Sequence, residues 1–116
     1  MSEQFISEQK VSEQMMPEKV LLSLVVSPMV EDAVVDLLLE NEAVSGFTSY
    51  AINGHGVSIH SLSPAEQVSG RQRQILFQTY LPSEQLDGLI TQLSSTFSGS
   101  GIHYWVVPLL DSGRIK

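Results

Sequence analysis

At 116 residues the chain has room for one domain and little more, and a hydrophobic share of 42% allows an ordinary core without staples. Thirteen acidic side chains against six basic ones give a formal charge of -7, which sets the chain against a phosphate backbone and weighs against nucleic-acid binding. No cysteine is present, so disulfides, thiolate metal ligands and cysteine nucleophiles are excluded together.

Residues 1 to 16 read MSEQFISEQKVSEQMM, with SEQ recurring every five residues. A period of five matches neither helix nor strand, so no single buried face follows. Residues 1–17 are therefore expected to be a disordered extension, ahead of one domain over 18–116. The segment lacks the basic-then-apolar order of a secretion signal. The longest mostly apolar run, Val20 to Val30, is too short to span a bilayer, and a soluble cytoplasmic protein is expected.

EKVLLSLVVS (Glu18 to Ser27) is apolar at nearly every position and bounded by Pro17 and Pro28, which predicts a strand buried on both faces. Ser27 is placed to cap the following helix and Pro28 suits its first position. Glu31 and Asp32 fall near the first turn, where the helix dipole favours acids. The helix is predicted through MVEDAVVDLLLENE, with Val30, Val34, Leu37 and Leu38 along one stripe. VSGFTSYAIN (Val44 to Asn53), rich in β-branched and aromatic residues, predicts a second strand.

A polar excursion over residues 53–70 follows. Gly54 and Gly56 flank His55, which predicts a flexible or turned backbone running on to His60. Ser63-Pro64-Ala65-Glu66 has the form of a capping box, with Glu66 reaching back to Ser63, and predicts a helical turn over Pro64 to Val68 that ends near Gly70. A connection this long inside a small domain is expected to be functional rather than a plain linker. Gly54, His55, Gly56 and His60 are its candidate partner-binding residues.

RQRQILFQTYL (Arg71 to Leu81) predicts a third strand with Ile75, Phe77, Thr79 and Leu81 on one face and Leu76, Gln78 and Tyr80 on the other. A second helix is predicted from Pro82 and Ser83, with Leu86, Leu89, Ile90, Leu93 and Phe97 at helical spacing. SGSG (Ser98 to Gly101) stops it, and IHYWVVPLL (Ile102 to Leu110) is the last strand.

The order β-α-β-β-α-β is the ferredoxin-like, α+β arrangement: a four-stranded antiparallel sheet with two helices on one face and a long loop between strands two and three. The other face should be polar if it met water. Instead Leu21 and Val25 in the first strand, and His103, Trp105 and Val107 in the last, back onto faces that are also apolar. An uncovered patch of that size is rare on a monomer, so subunits are expected to bury it.

Arg71 and Arg73, two apart on a strand, share a face. They suit an anion or carboxylate in a cleft between subunits, and equally an intersubunit salt bridge. His55, His60 and His103 are the chain's three imidazoles and are candidate ligands for Cu, Ni or Zn. The spacing of His55 and His60 is not the one that preorganises a helical pair, so solvent-facing loop histidines are the alternative. Gly99-Ser100-Gly101 could cradle a phosphate, but a glycine past a helix end is ordinarily its C-cap. Tyr104 and Trp105 could stack on a ligand, with one of the two pointing into the core. No nucleophile elbow, paired-acid or H-E-x-x-H motif is present, so the chain is expected not to be an enzyme.

Over roughly residues 18 to 110 the chain resembles the PII-like family of trimeric ferredoxin-like signalling proteins, whose long loop between the second and third strands contacts partner proteins. AEQVSGRQRQ (Ala65 to Gln74) and HYWVVP (His103 to Pro108) look like a PII-like group often encoded beside heavy-metal efflux systems. The resemblance implies a homotrimer and a regulatory role. Nucleotide-binding relatives carry G-x-G-K before the last strand. Here Gly99 and Gly101 match the glycines, but Ile102 stands at the lysine, which argues against ATP. Arg71 and Arg73 could supply charge from the third strand. The similar CutA branch is linked to divalent metals and trimerises through the same sheet face.

The resulting expectation is a regulator that presents residues 53–70 to a protein partner, with a membrane transporter one candidate, under control of a small ligand or transition metal ion. The alternative is a metal-binding or metal-tolerance protein using the loop histidines. Light scattering at micromolar concentration should return a multiple of the monomer mass; a stable monomer would contradict the covered sheet face.

Overall fold

The computed structural model describes residues 17–56, 64–69 (side chains to residue 66) and 71–116. The expectations for residues 1–16, for His60 and for Ser63 as a cap fall outside that range. Four strands, β1 (Lys19–Val26), β2 (Thr48–His55), β3 (Arg71–Pro82) and β4 (His103–Pro108), form one antiparallel sheet in the order β2-β3-β1-β4. Helices α1 (Glu31–Glu40) and α3 (Leu86–Thr96) each follow a 3-10 turn, Pro28–Val30 and Ser83–Gln85. The short helix α2 (Pro64–Ser69) lies in the β2–β3 connection. This is the ferredoxin-like fold that the element order predicts. Among the described residues no helix is long and apolar enough to cross a membrane.

The core lies between the helices and one face of the sheet. Val20, Leu22, Leu24 and Val26 of β1 meet Phe77 and Leu81 of β3, and Val34, Leu37, Leu38, Leu89 and Leu93 from the two helices. Burying each large aliphatic side chain contributes about 1.5–3 kcal/mol. Thr79 is buried on the same face, and its hydroxyl donates to the Gly46 carbonyl at 2.7 Å, so it carries no unmet polar group into the core.

Ser27 caps the 3-10 turn rather than α1 itself: its Oγ accepts from the Met29 N–H at 3.2 Å, and α1, which begins after Val30, has no side-chain cap. Where α1 ends, the Asn41 side chain accepts from the Ala43 N–H at 2.9 Å and donates to Gln92 Oε1 of α3 at 3.0 Å. Those two bonds stop the helix and tie its end to its neighbour. At the other helix end, Gly99 (φ 81) and Gly101 (φ 74) take the left-handed conformations that a stop requires.

The second strand differs from the expectation at both ends. Val44 and Phe47 pack on the core ahead of the ladder, Phe47 tilted against Phe77 at 6.0 Å between ring centroids. Their strand-like composition reflected burial rather than pairing. Pairing also runs further than expected, through Gly54 with Gln72 and His55 with Arg71. A Cβ at Gly54 would collide with Gln74 Oε1, so this glycine lets a glutamine side chain lie across the strand. The turn itself comes at Gly56, with φ 78.

Phe77 is 1% exposed and Leu39 69%. Phe77→Ala should therefore cost about 3–5 kcal/mol in urea denaturation, and Leu39→Ala no more than about 0.5 kcal/mol. Similar losses for the two variants would contradict the placement of the core.

Candidate functional site

The strands of the sheet are unequal in reach. β1 leaves its ladder with β3 at the Val26–Ile75 pair, whereas β2 stays paired with β3 through Ile52–Gln74, Asn53–Arg73, Gly54–Gln72 and His55–Arg71. Those last pairs form a two-stranded ribbon that projects about 13 Å past the body of the sheet. The β2–β3 connection, with α2 inside it, continues from the ribbon's end. Glu66 of α2 is anchored to the ribbon: its Oε2 accepts the Arg73 backbone N–H at 2.6 Å.

The exposed side chains of Arg71 and Arg73 lie on the helix-bearing face of β3, each opposite a β2 residue, His55 and Asn53. The structure thus gathers Arg71, Arg73 and His55 at one ribbon end. A guanidinium directly across from an imidazole disfavours a bound metal cation there, since like charges facing each other on a sheet repel. His103 is far from this group. It sits on β4, the opposite edge of the sheet, paired with Val25 on the face without helices. Three strand spacings, about 14 Å, and the sheet itself separate His55 and His103 of one chain. They form no common ligand set within it. Among the described residues no cluster of three or more His, Cys, Asp or Glu could hold a metal, and His60 lies outside that range.

Gly99 and Gly101 serve the end of α3. The Ser100 N–H bonds the Phe97 carbonyl at 3.1 Å, and the Ser100 hydroxyl donates to the same oxygen. Ile102, which follows the second of these glycines, packs against the core. A cavity of about 320 Å³ opens beside it, walled by Leu24, Leu93, Phe97, Ile102 and Tyr104 with the two glycines at the rim. Among the described residues its walls offer no cation. β1 stands between β3 and β4, so one chain does not assemble Arg71, Arg73, Gly99 and Gly101 into a single cleft.

The sheet face without helices carries Tyr50, Tyr80 and Trp105, 46–48% exposed, around Leu21, Val25, Leu76 and Val107. The Lys19 ammonium stands 5.5 Å from the Tyr80 ring centroid. A polar chain crosses this apolar surface: Tyr50 Oη donates to Gln78 Oε1, and Gln78 Nε2 donates to Ser23 Oγ, both at 3.2 Å. Sequence reading missed this network. Its signal was a lone serine within VLLSLVV and a glutamine within ILFQTY.

No curated protein matches this sequence. Among solved structures, a DUF3240 family protein from Shewanella baltica is 26% identical with a TM-score of 0.73, the match covering 87% of this chain and 100% of that one. CPII, a nitrogen regulatory PII-like protein from Thiomonas intermedia bound to ADP, AMP and bicarbonate, is 17% identical with a TM-score of 0.64, covering 84% of this chain and 96% of its own. A second structure of CPII matches at 0.60 and 17% identity, over 78% of this chain and 91% of its own. The fold is therefore PII-like, and the match to CPII speaks to fold alone. The family described as protein of unknown function (DUF3240) matches residues 16–116. On that match, which spans every element of the sheet and all three helices, the chain belongs to the DUF3240 family.

Proposed function

We propose that this chain is a non-enzymatic regulatory protein of the PII-like kind, a homotrimer closed through its open sheet face. In this reading it presents residues 53–70 to a protein partner, and a small ligand or metal ion at the subunit interface sets the conformation of that connection. The observation that carries the reading is the projecting β2–β3 ribbon, from whose end the connection continues and to which Glu66 of α2 is bonded through the Arg73 N–H. A segment attached at the end of such a ribbon can exchange conformations without disturbing the fold. A ligand then selects among them by its differential affinity.

The PII-like fold shared with CPII makes adenine nucleotides and bicarbonate the first ligands to test. Ile102, core-packed where the family lysine would be, weighs against a site that depends on a triphosphate. Charge for a smaller anion is available at Arg71 and Arg73. A partner belonging to a heavy-metal efflux system would fit the resemblance of Ala65 to Gln74 and His103 to Pro108 to a group often encoded beside such systems, and a transporter is then the partner class to try first. A metal-tolerance role through His55 and His60 has less support, because Arg71 faces His55 across the ribbon.

Replacing residues 57–69 with a short Gly/Ser linker should leave the assembly mass unchanged and abolish capture of the partner; unchanged capture would overturn the reading. Calorimetric titration of Zn²⁺ or Cu²⁺ should give the same heat for wild type and for His55→Ala. A site-stoichiometric loss of heat in that variant would favour the metal-binding alternative.

A further inference from the structure

At its start β3 has a strand on one side only, because β1 ends opposite Ile75 while β2 continues to Arg71. Along an antiparallel strand, residues alternate between bonding one neighbour and facing away from it. Arg73 turns its N–H to the side β1 has vacated, where the Glu66 carboxylate accepts it at 2.6 Å. Unpaired donors on a strand edge ordinarily meet water or another chain. Here a charged oxygen occupies the place of the missing strand, at the short distance of a charge-assisted bond.

The surroundings of that N–H suit an anion. The exposed guanidiniums of Arg71 and Arg73 leave the same face of β3 from positions about 7 Å apart along the strand. In a chain of net charge -7 such a pair is a local exception. An outward backbone N–H beside two guanidiniums is a donor set for a small oxyanion, and Glu66 supplies a carboxylate to it from within the chain.

We propose that Glu66 is the internal occupant of an oxyanion site on the free edge of β3, and that a small external oxyanion competes with it for the Arg73 N–H. The inference deepens the regulatory reading and takes its biological meaning from it, whereas the competition is a property of this chain alone. Glu66 engages a further partner besides the Arg73 N–H, so the exchange removes this one bond rather than every contact of the carboxylate. A group tethered by a short linker acts at an effective concentration of the order of millimolar, so the competing anion must be present at that level. Bicarbonate and inorganic phosphate both offer the required oxygens.

The test follows the Arg73 backbone amide of the full-length, ¹⁵N-labelled protein by NMR. One arm titrates sodium bicarbonate and the other inorganic phosphate, each at constant ionic strength. In wild type the amide should shift saturably in the millimolar range with at least one of the two, and the anion with the lower midpoint is the one the site selects. Glu66→Gln should lower that midpoint roughly tenfold, because the charged competitor is gone. Arg71→Ala/Arg73→Ala should abolish saturation. Glu66→Ala, which removes the side-chain acceptor altogether, provides an independent second variant, and unchanged β1 and β4 amides report that each variant is folded. Linear shifts with both anions, or a midpoint that neither Glu66 variant alters, would overturn the proposal. Saturable binding together with unimpaired partner capture by the linker-replaced chain would leave this site standing and defeat the regulatory reading.

Discussion

The structure depends on a first strand that is buried on both of its faces. Val20, Leu22, Leu24 and Val26 of β1 are covered by the two helices, and Ser23 and Val25 are buried on the opposite face, where no helix lies. With β3 on one side and β4 on the other, β1 is also paired along both of its edges. Its end is consequential as well. Ser27 turns the chain out of the sheet as a helix cap, and Pro28 has no N–H with which to continue the ladder. From that point β3 continues with β2 alone. The ribbon, the arginine pair and the base of the long connection all lie where β1 has stopped.

The same constraint shapes the open face. Ser23 is fully buried within an apolar strand, a position that would cost free energy without a partner. Gln78 provides that partner and in turn accepts from Tyr50, so the polar chain is satisfied within one copy. Among the described residues no buried side-chain polar atom lacks a hydrogen bond. A face of this kind can be covered by apolar groups without stranding a donor or acceptor beneath them. Tyr50, Tyr80 and Trp105, each about half exposed, are suited to the rest of such an interface because they combine large apolar area with few rotatable bonds.

Much of this was legible in the sequence because it rests on periodicity. The doubly apolar run of β1, the alternation Ile75-Phe77-Thr79-Leu81 and the helical spacing of Leu86 to Phe97 each fix a face. The boundaries of β2 were less legible. Val44 and Phe47 have strand-like side chains but are spent on packing, and Gly54 looks like a turn residue but sits in the ladder beneath Gln74. Periodicity says nothing about which side chains converge from different elements. The Glu66–Arg73 bond and the Ser23–Gln78–Tyr50 chain depend on register, which only the paired strands define. The three histidines show the converse: similar chemistry in the sequence, but two of them placed on opposite edges and faces of the sheet.

Hydroxyl-radical footprinting of the intact protein at micromolar concentration addresses the covered face most directly. Met29, 94% exposed in the 3-10 turn that follows β1, provides the internal reference. If copies of the chain close over the open sheet face, Trp105, Tyr80 and Tyr50 are protected well beyond their half-exposure in one chain, while Met29 oxidises freely. Oxidation of Trp105 and Tyr80 at the rates expected for half-exposed side chains, with Met29 equally reactive, would contradict it.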